Sequence, residues 1–105
     1  MRRMTVLDHD SHEKCGARMT ALGLSFPTLA HADGVSPWDP ERLEAWLRSG
    51  APGHGAQCAG RFVLSVWNSY HEWRSGRFDL QEALGCWDAQ HRAAFVAWAA
   101  KLWWP

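Results

Sequence analysis

The sequence predicts an all-α protein, a small single-domain bundle of four to five short helices with an irregular N-terminal third punctuated by Pro and Gly. Apolar side chains recur every three or four residues, most clearly from Ala59 to Tyr70, and this is the period of one helix face. Aspartates suited to capping precede several helical stretches. No internal repeat or β-hairpin pattern is visible, and 105 residues is an ordinary length for one domain.

The first helix is predicted to follow a short arm, residues 1–9. Asp10 and Glu13 have the spacing of a capping box, in which both side chains bond to backbone N–H groups of the first turn. The helix then runs to about Leu22, where Gly23 stops it. Its predicted apolar face consists of Cys15, Met19 and Leu22.

Residues 23–38 are predicted to be a wrapping loop, because Pro27, Gly34 and Pro37 exclude any long helix. Three apolar side chains in this segment are expected to anchor it to the core: Phe26, Leu29 and Val35.

The second helix has the clearest start in the chain. Asp39 is a suitable N-cap and Pro40 suits the first helical position, so the helix is predicted from Pro40 to about Arg48. Gly50 closes it. The predicted buried stripe consists of Leu43, Trp46 and Leu47.

A strongly amphipathic third helix is predicted from His54 to about Trp73, with Trp67 and Tyr70 continuing its buried stripe and Asn68 as the alternative break. Asp79 and Glu82 then form a second capping box that opens a helix over residues 80–84. The last helix is predicted over residues 89–102 behind an N-cap at Asp88. Gly85 leaves open whether these final two helices are one or two.

The C-terminal stretch Ala93–Trp104 contains one polar side chain, Lys101, and is too short to cross a bilayer, which requires about 20 residues. It is therefore a buried helix or one whose far side meets a partner. Trp103 and Trp104 lie in the final turn and are predicted to be surplus apolar surface. The core face is predicted to consist of Phe95, Trp98, Ala99 and Leu102.

The formal charge balances, with eleven Lys and Arg against eleven Asp and Glu. This balance leaves no excess positive charge that would attract nucleic acid or an anionic membrane. It also means that no net electrostatic repulsion opposes self-association. The three cysteines are odd in number and widely spaced, which is unsuited to a disulfide framework. They predict a reducing, cytoplasmic location.

Six His and three Cys also raise the question of a metal site or a nucleophile. His54 and Cys58 are spaced i, i+4 on a helix, yet no C-x2-C or H-x3-H pair accompanies them. Cys58 lies on the apolar stripe, where a thiol is normally inert. The sequence therefore predicts no metal, no cofactor and no catalytic residue, and it leaves open whether the His and Cys side chains form a site.

The segment from Trp67 to Arg77 interleaves aromatic and basic side chains. Trp73, Arg74 and Arg77 are the members left free of the predicted stripe, and such residues occur both at protein interfaces and in sites that stack single-stranded nucleic acid. Three residues are few for a site that binds nucleic acid.

These observations predict a non-enzymatic protein-interaction module that binds a second copy or a protein partner through surplus Trp-rich surface. An accessory nucleic-acid-binding protein using residues 67–77 is the alternative, and a small enzyme or metal protein built on the His and Cys residues is the third. The predicted partner-binding residues are Trp73, Arg74, Arg77, Trp103 and Trp104.

Overall fold

The computed structural model of the chain describes residues 14–105, and every regular element in that range is helical, which confirms the predicted fold class. The predicted arm and the capping box of Asp10 and Glu13 lie outside the described residues. The described elements are α1 (residues 14–24), a 3-10 turn (Pro27–Leu29), α2 (Pro40–Arg48), α3 (His54–Trp67), α4 (Leu80–Cys86) and α5 (Ala89–Ala100).

Helix α1 continues through Gly23, where the sequence predicted its end. A Cβ atom at Gly23 would lie 2.7 Å from a methyl carbon of Val35, so this glycine allows the loop to pack directly on the helix instead of ending it. Met19 and Leu22 are buried as predicted, and Cys15 is half-buried.

The loop that follows α1 is held against the core by the three predicted anchors. Phe26, Leu29 and Val35 are almost completely buried, which confirms this part of the prediction. The backbone N–H of Thr28 also donates to Nε2 of His91, 3.3 Å away, and so ties the loop to α5.

Helix α3 is the central element and packs against α2, α4 and the 3-10 turn. Gly60 allows the close approach of α2, because a Cβ atom there would lie 2.5 Å from Leu47. Leu43 and Leu47 are buried as predicted, and Trp46 packs at the edge of the core. The ring of Phe62 contacts five other aromatic rings: Phe26, Phe78, Trp87, Phe95 and Trp98.

The three predicted N-caps within the described range are confirmed. The Asp39, Asp79 and Asp88 side chains each accept a hydrogen bond from the backbone N–H three residues on. Helix α2 has the predicted bounds. Helix α4 reaches Cys86 rather than residue 84, and the buried Trp87 lies between it and α5, so the two are separate helices.

The predicted extension of α3 to Trp73 is wrong and the alternative break at Asn68 is confirmed, since the helix ends at Trp67 and Asn68 is extended. The Asn68 side chain accepts from the backbone N–H groups of Tyr70 and His71, which replaces the next helical turn by a side-chain-bonded turn. Tyr70 is consequently 97% exposed and does not belong to the core stripe.

The predicted extension of α5 to Leu102 is also wrong, since the helix ends at Ala100 and Leu102 is 62% exposed. The chain reverses at Lys101, and the indole N–H of Trp98 donates to the carbonyl of Trp103 over 3.3 Å. Phe95 and Trp98 pack against the core as predicted, whereas Ala99 is exposed.

Within residues 14–105, none of the helices combines the length and the apolar character needed to cross a bilayer.

Candidate functional site

A shallow depression of about 440 Å³ lies where the end of α3 meets the C-terminal residues. The two most exposed rings in its lining belong to Tyr70 and Trp104. Trp104 is 59% exposed. None of its lining side chains within the described residues is charged. We call it the aromatic depression, and it is lined by Val66, Trp67, Asn68, Ser69, Tyr70, Trp104 and Pro105.

The two C-terminal tryptophans differ in their surroundings. The Trp103 ring is half-buried and lies under the guanidinium of Arg18, whose Cζ is 4.2 Å from the ring centroid. The Trp104 ring stands edge-on to Trp98 with centroids 5.1 Å apart and keeps most of its surface exposed. Of this pair, Trp104 is therefore the ring open to a partner.

Trp73 stands between two further depressions. Its indole N–H donates to the Asn68 carbonyl over 3.1 Å. Arg77 lines a depression of about 260 Å³ on one side of the ring, and Arg74 lines another of about 460 Å³ on the other. The three residues predicted as one patch are thus divided between two depressions.

The acidic residues beside Arg74 weaken the case for nucleic acid. Glu41 and Glu44 of α2 line the same depression as Arg48 and Arg74, so two carboxylates offset the two guanidinium groups that would attract a phosphate. Tyr70, the most exposed aromatic ring of this segment, lines the aromatic depression instead.

A second group of side chains, which we call the thiol cluster, joins α3 to α4 and consists of His54, Cys58, Glu82 and Cys86. Cys58 Sγ lies 3.5 Å from Cys86 Sγ and 3.8 Å from Glu82 Oε1, and His54 Nε2 lies 2.7 Å from the same carboxylate oxygen. The ligand atoms of His54, Cys58 and Cys86 all lie within 4.8 Å of one another. These are donor types that bind transition-metal ions.

Arg61 places a positive charge beside the Glu82 carboxylate of the thiol cluster. Its guanidinium donates to Glu82 Oε1 over 3.1 Å and to the carbonyl of Ser75 over 2.9 Å. The hydrogen bond from His54 and then the charge of Arg61 lower the pKa of the Glu82 carboxyl.

Cys58 is buried, and this burial, together with the hydrogen bond to Cys86, raises the pKa of its thiol to about 12. The thiol is therefore protonated at neutral pH, and a protonated thiol is a poor nucleophile. This geometry does not favour a catalytic cysteine.

Sequence reasoning considered the His and Cys side chains, His54 with Cys58 among them, but did not bring Glu82 into one cluster with them. Each of the two helices carries one pair of these side chains with i, i+4 spacing, so each helix places two ligand-type side chains on one face. The available signal was the matching H-x3-C and E-x3-C patterns. That the two faces meet depends on the packing of α3 against α4.

No protein family, no curated protein and no solved structure that we compared matches this chain. The chemistry of its own side chains is therefore the guide to its function.

Proposed function

We propose that this chain is a non-enzymatic protein-interaction module and that a second copy of itself binds at the aromatic depression. The observation that carries the proposal is the exposure of Tyr70. Tyr70 is 97% exposed, and the two hydrogen bonds to the Asn68 side chain hold the backbone of the turn that carries it. Tyr and Trp are enriched among the residues that dominate binding energy at protein interfaces.

The charge distribution supports a second copy as the occupant. None of the side chains that line the aromatic depression is charged, so two copies related by a two-fold axis would bring no like-charged side chains together there. The formal net charge of zero adds no long-range repulsion between copies.

The size of the patch predicts weak association. A buried Tyr or Trp side chain removes roughly 150–250 Å² from solvent, so two rings from each copy supply at most about 1,000 Å². Stable interfaces bury roughly 1,200–2,000 Å². We therefore expect a dimer that dissociates on dilution, in the reducing cytoplasmic location that the odd number of cysteines favours.

The test is sedimentation velocity over a wide range of protein concentration. We expect the wild-type mass to rise from monomer toward dimer and Tyr70→Ser to remain monomeric, with an unchanged far-UV circular dichroism spectrum because Tyr70 is exposed. Leu84→Ser is the matched control, since Leu84 is an exposed apolar residue outside the depression. A wild-type protein that stays monomeric throughout, or a Tyr70→Ser variant that dimerises like wild type, overturns the proposal.

A further inference from the structure

We propose that the thiol cluster is a structural site for a zinc-like divalent transition-metal ion, with His54, Cys58, Glu82 and Cys86 as its four ligands. Two helices supply one i, i+4 pair each where α3 packs against α4. The ligand atoms of His54, Cys58 and Cys86 lie within 4.8 Å of one another, and Glu82 adjoins this group through its contacts with His54 and Cys58. Two thiolates, an imidazole and a carboxylate make a tetrahedral zinc ligand set.

The observed separations fit a tetrahedral ion. Two sulfur ligands about 2.3 Å from such an ion lie roughly 3.7 Å apart, and a sulfur and an oxygen ligand roughly 3.6 Å apart. Cys58 Sγ lies 3.5 Å from Cys86 Sγ and 3.8 Å from Glu82 Oε1. The edges of the tetrahedron that join Cys58 to Cys86 and to Glu82 are therefore already close to the required length.

The contact between His54 and Glu82 requires a small adjustment. Nitrogen and oxygen ligands of a tetrahedral ion lie about 3.4 Å apart, whereas His54 Nε2 and Glu82 Oε1 share a hydrogen bond of 2.7 Å. The His54 side chain is 60% exposed and the Glu82 side chain 37% exposed. Rotation of the more exposed His54 side chain supplies this adjustment while Arg61 holds the Glu82 carboxylate, and the exposed imidazole provides the path by which an ion enters.

The charge and the hydrogen bonds around the cluster also fit. On binding, each thiol releases one proton to solvent, and His54 exchanges the Nε2 proton that bonds to Glu82 for a proton on Nδ1, so that Nε2 can ligate the ion. Two thiolates and one carboxylate then surround the dication and leave the site with one net negative charge. The Arg61 guanidinium, which donates to Glu82 over 3.1 Å, offsets that charge and orients the carboxylate. Thiolate and imidazole ligands also discriminate against Mg²⁺ and Ca²⁺, which prefer oxygen.

The experiment is a titration of the reduced full-length chain with Co²⁺, followed by displacement with Zn²⁺. Tetrahedral Co²⁺ bound by thiolates gives intense visible bands and a sulfur-to-cobalt charge-transfer band in the near ultraviolet. We expect one Co²⁺ per chain with both features and their loss when one equivalent of Zn²⁺ is added.

Variants assign the ligands. Cys86→Ser and His54→Ala should weaken Co²⁺ binding by at least about tenfold, and Cys86→Ser should also reduce the charge-transfer intensity. Cys15→Ser is the matched control, because Cys15 is a free cysteine on α1 outside the cluster and should bind like wild type. His54 is exposed, so His54→Ala is expected to fold even if a cysteine variant does not.

Several outcomes would overturn the inference. One is the absence of cobalt bands in the reduced wild-type chain. Another is binding that survives both Cys86→Ser and His54→Ala, which would place the ion on other His or Cys residues. A third is loss of binding in Cys15→Ser.

Discussion

At the scale of single residues, His91 joins the loop after α1 to the start of α5. Its Nε2 lies 2.8 Å from Thr28 Oγ1 and 3.3 Å from Thr28 N in the loop, and its Nδ1 lies 2.7 Å from Oδ1 of Asp88, the N-cap of α5. The ring is buried, with its centroid 5.9 Å from that of Phe26 and 6.3 Å from that of Trp87. Hydrogen bonds at both ring nitrogens and packing on the ring faces therefore fix the position of this side chain.

The first prediction concerns Asp88 and pH. Hydrogen bonds from His91, first from its backbone N–H and then from its ring, hold the pKa of the Asp88 carboxyl below its usual range. The unfolded chain therefore takes up this proton first as pH falls, so the stabilisation is complete at neutral pH and is lost progressively below about pH 4. Asp88→Asn keeps a capping side chain without the charge.

We expect Asp88→Asn to have a lower thermal unfolding midpoint than wild type at neutral pH, and the difference to narrow as pH falls below about 4. Thermal unfolding of both proteins, followed by circular dichroism at a series of pH values, measures this difference in midpoint. The comparison isolates Asp88 because all other carboxylates are common to both proteins. A difference that is constant over this range would contradict the assignment.

At the scale of elements, the starts of α2 to α5 were predictable, whereas the ends of α1, α3, α4 and α5 were not. Asp39, Asp79 and Asp88 each bond to the residue three positions on, so the start is encoded within one turn of the sequence. The end of α3 depends on whether the chain continues as a helix or forms the turn at Asn68. The apolar period continues to Tyr70, but the Asn68 side chain supplies two backbone hydrogen bonds that favour a turn.

The second prediction tests these two alternatives with Asn68→Ala. Alanine cannot accept the N–H groups of Tyr70 and His71 and has the highest helix propensity, so α3 should extend and the far-UV helical signal should rise. Ser69→Ala is the control, since it changes a neighbouring residue and leaves the Asn68 turn intact. If both variants have the wild-type spectrum, the Asn68 side chain does not end the helix. An extended α3 would also move Tyr70 and weaken self-association.

The thiol cluster was beyond sequence reasoning for a related reason. His54 and Glu82 are separated by 28 positions, as are Cys58 and Cys86. Each i, i+4 pair is visible alone, but the packing of α3 on α4, which no local pattern encodes, brings the pairs together. Only part of the aromatic depression was predictable. Trp104 was identified as surplus apolar surface, whereas Tyr70 was assigned to the buried stripe because the predicted third helix continued past Asn68.

At the scale of the whole molecule, Phe62 connects elements that are distant in sequence. Its ring lies 5.7 Å from Phe26 in the N-terminal loop, 5.2 Å from Phe78 in the segment before α4, and 5.1 Å from Trp98 in α5, measured between centroids. The sequence placed Trp98 at the centre of the core. In the structure Trp98 is half-buried, and Phe62 is the buried member of the pair.

The third prediction compares these two rings. Phe62→Ala should lower the free energy of unfolding by about 3–5 kcal/mol, a large share of an ordinary domain's stability of roughly 5–15 kcal/mol. Trp98→Ala should cost less, because part of its ring is already in solvent. Urea denaturation followed by circular dichroism measures both. An equal or larger loss for Trp98→Ala would show that the C-terminal helix, rather than α3, carries the centre of the core.

The hydrogen bond from Thr28 to His91 spans 63 positions, and this separation has a consequence for how the chain folds during synthesis. Phe26 packs against Trp87 and His91 as well as Phe62, so part of its apolar surface stays uncovered until α5 has left the ribosome. Contacts of such long range must wait for most of the chain, and exposed apolar surface in that interval promotes aggregation. A nascent chain that stalls before Trp87 would therefore be a substrate for chaperones.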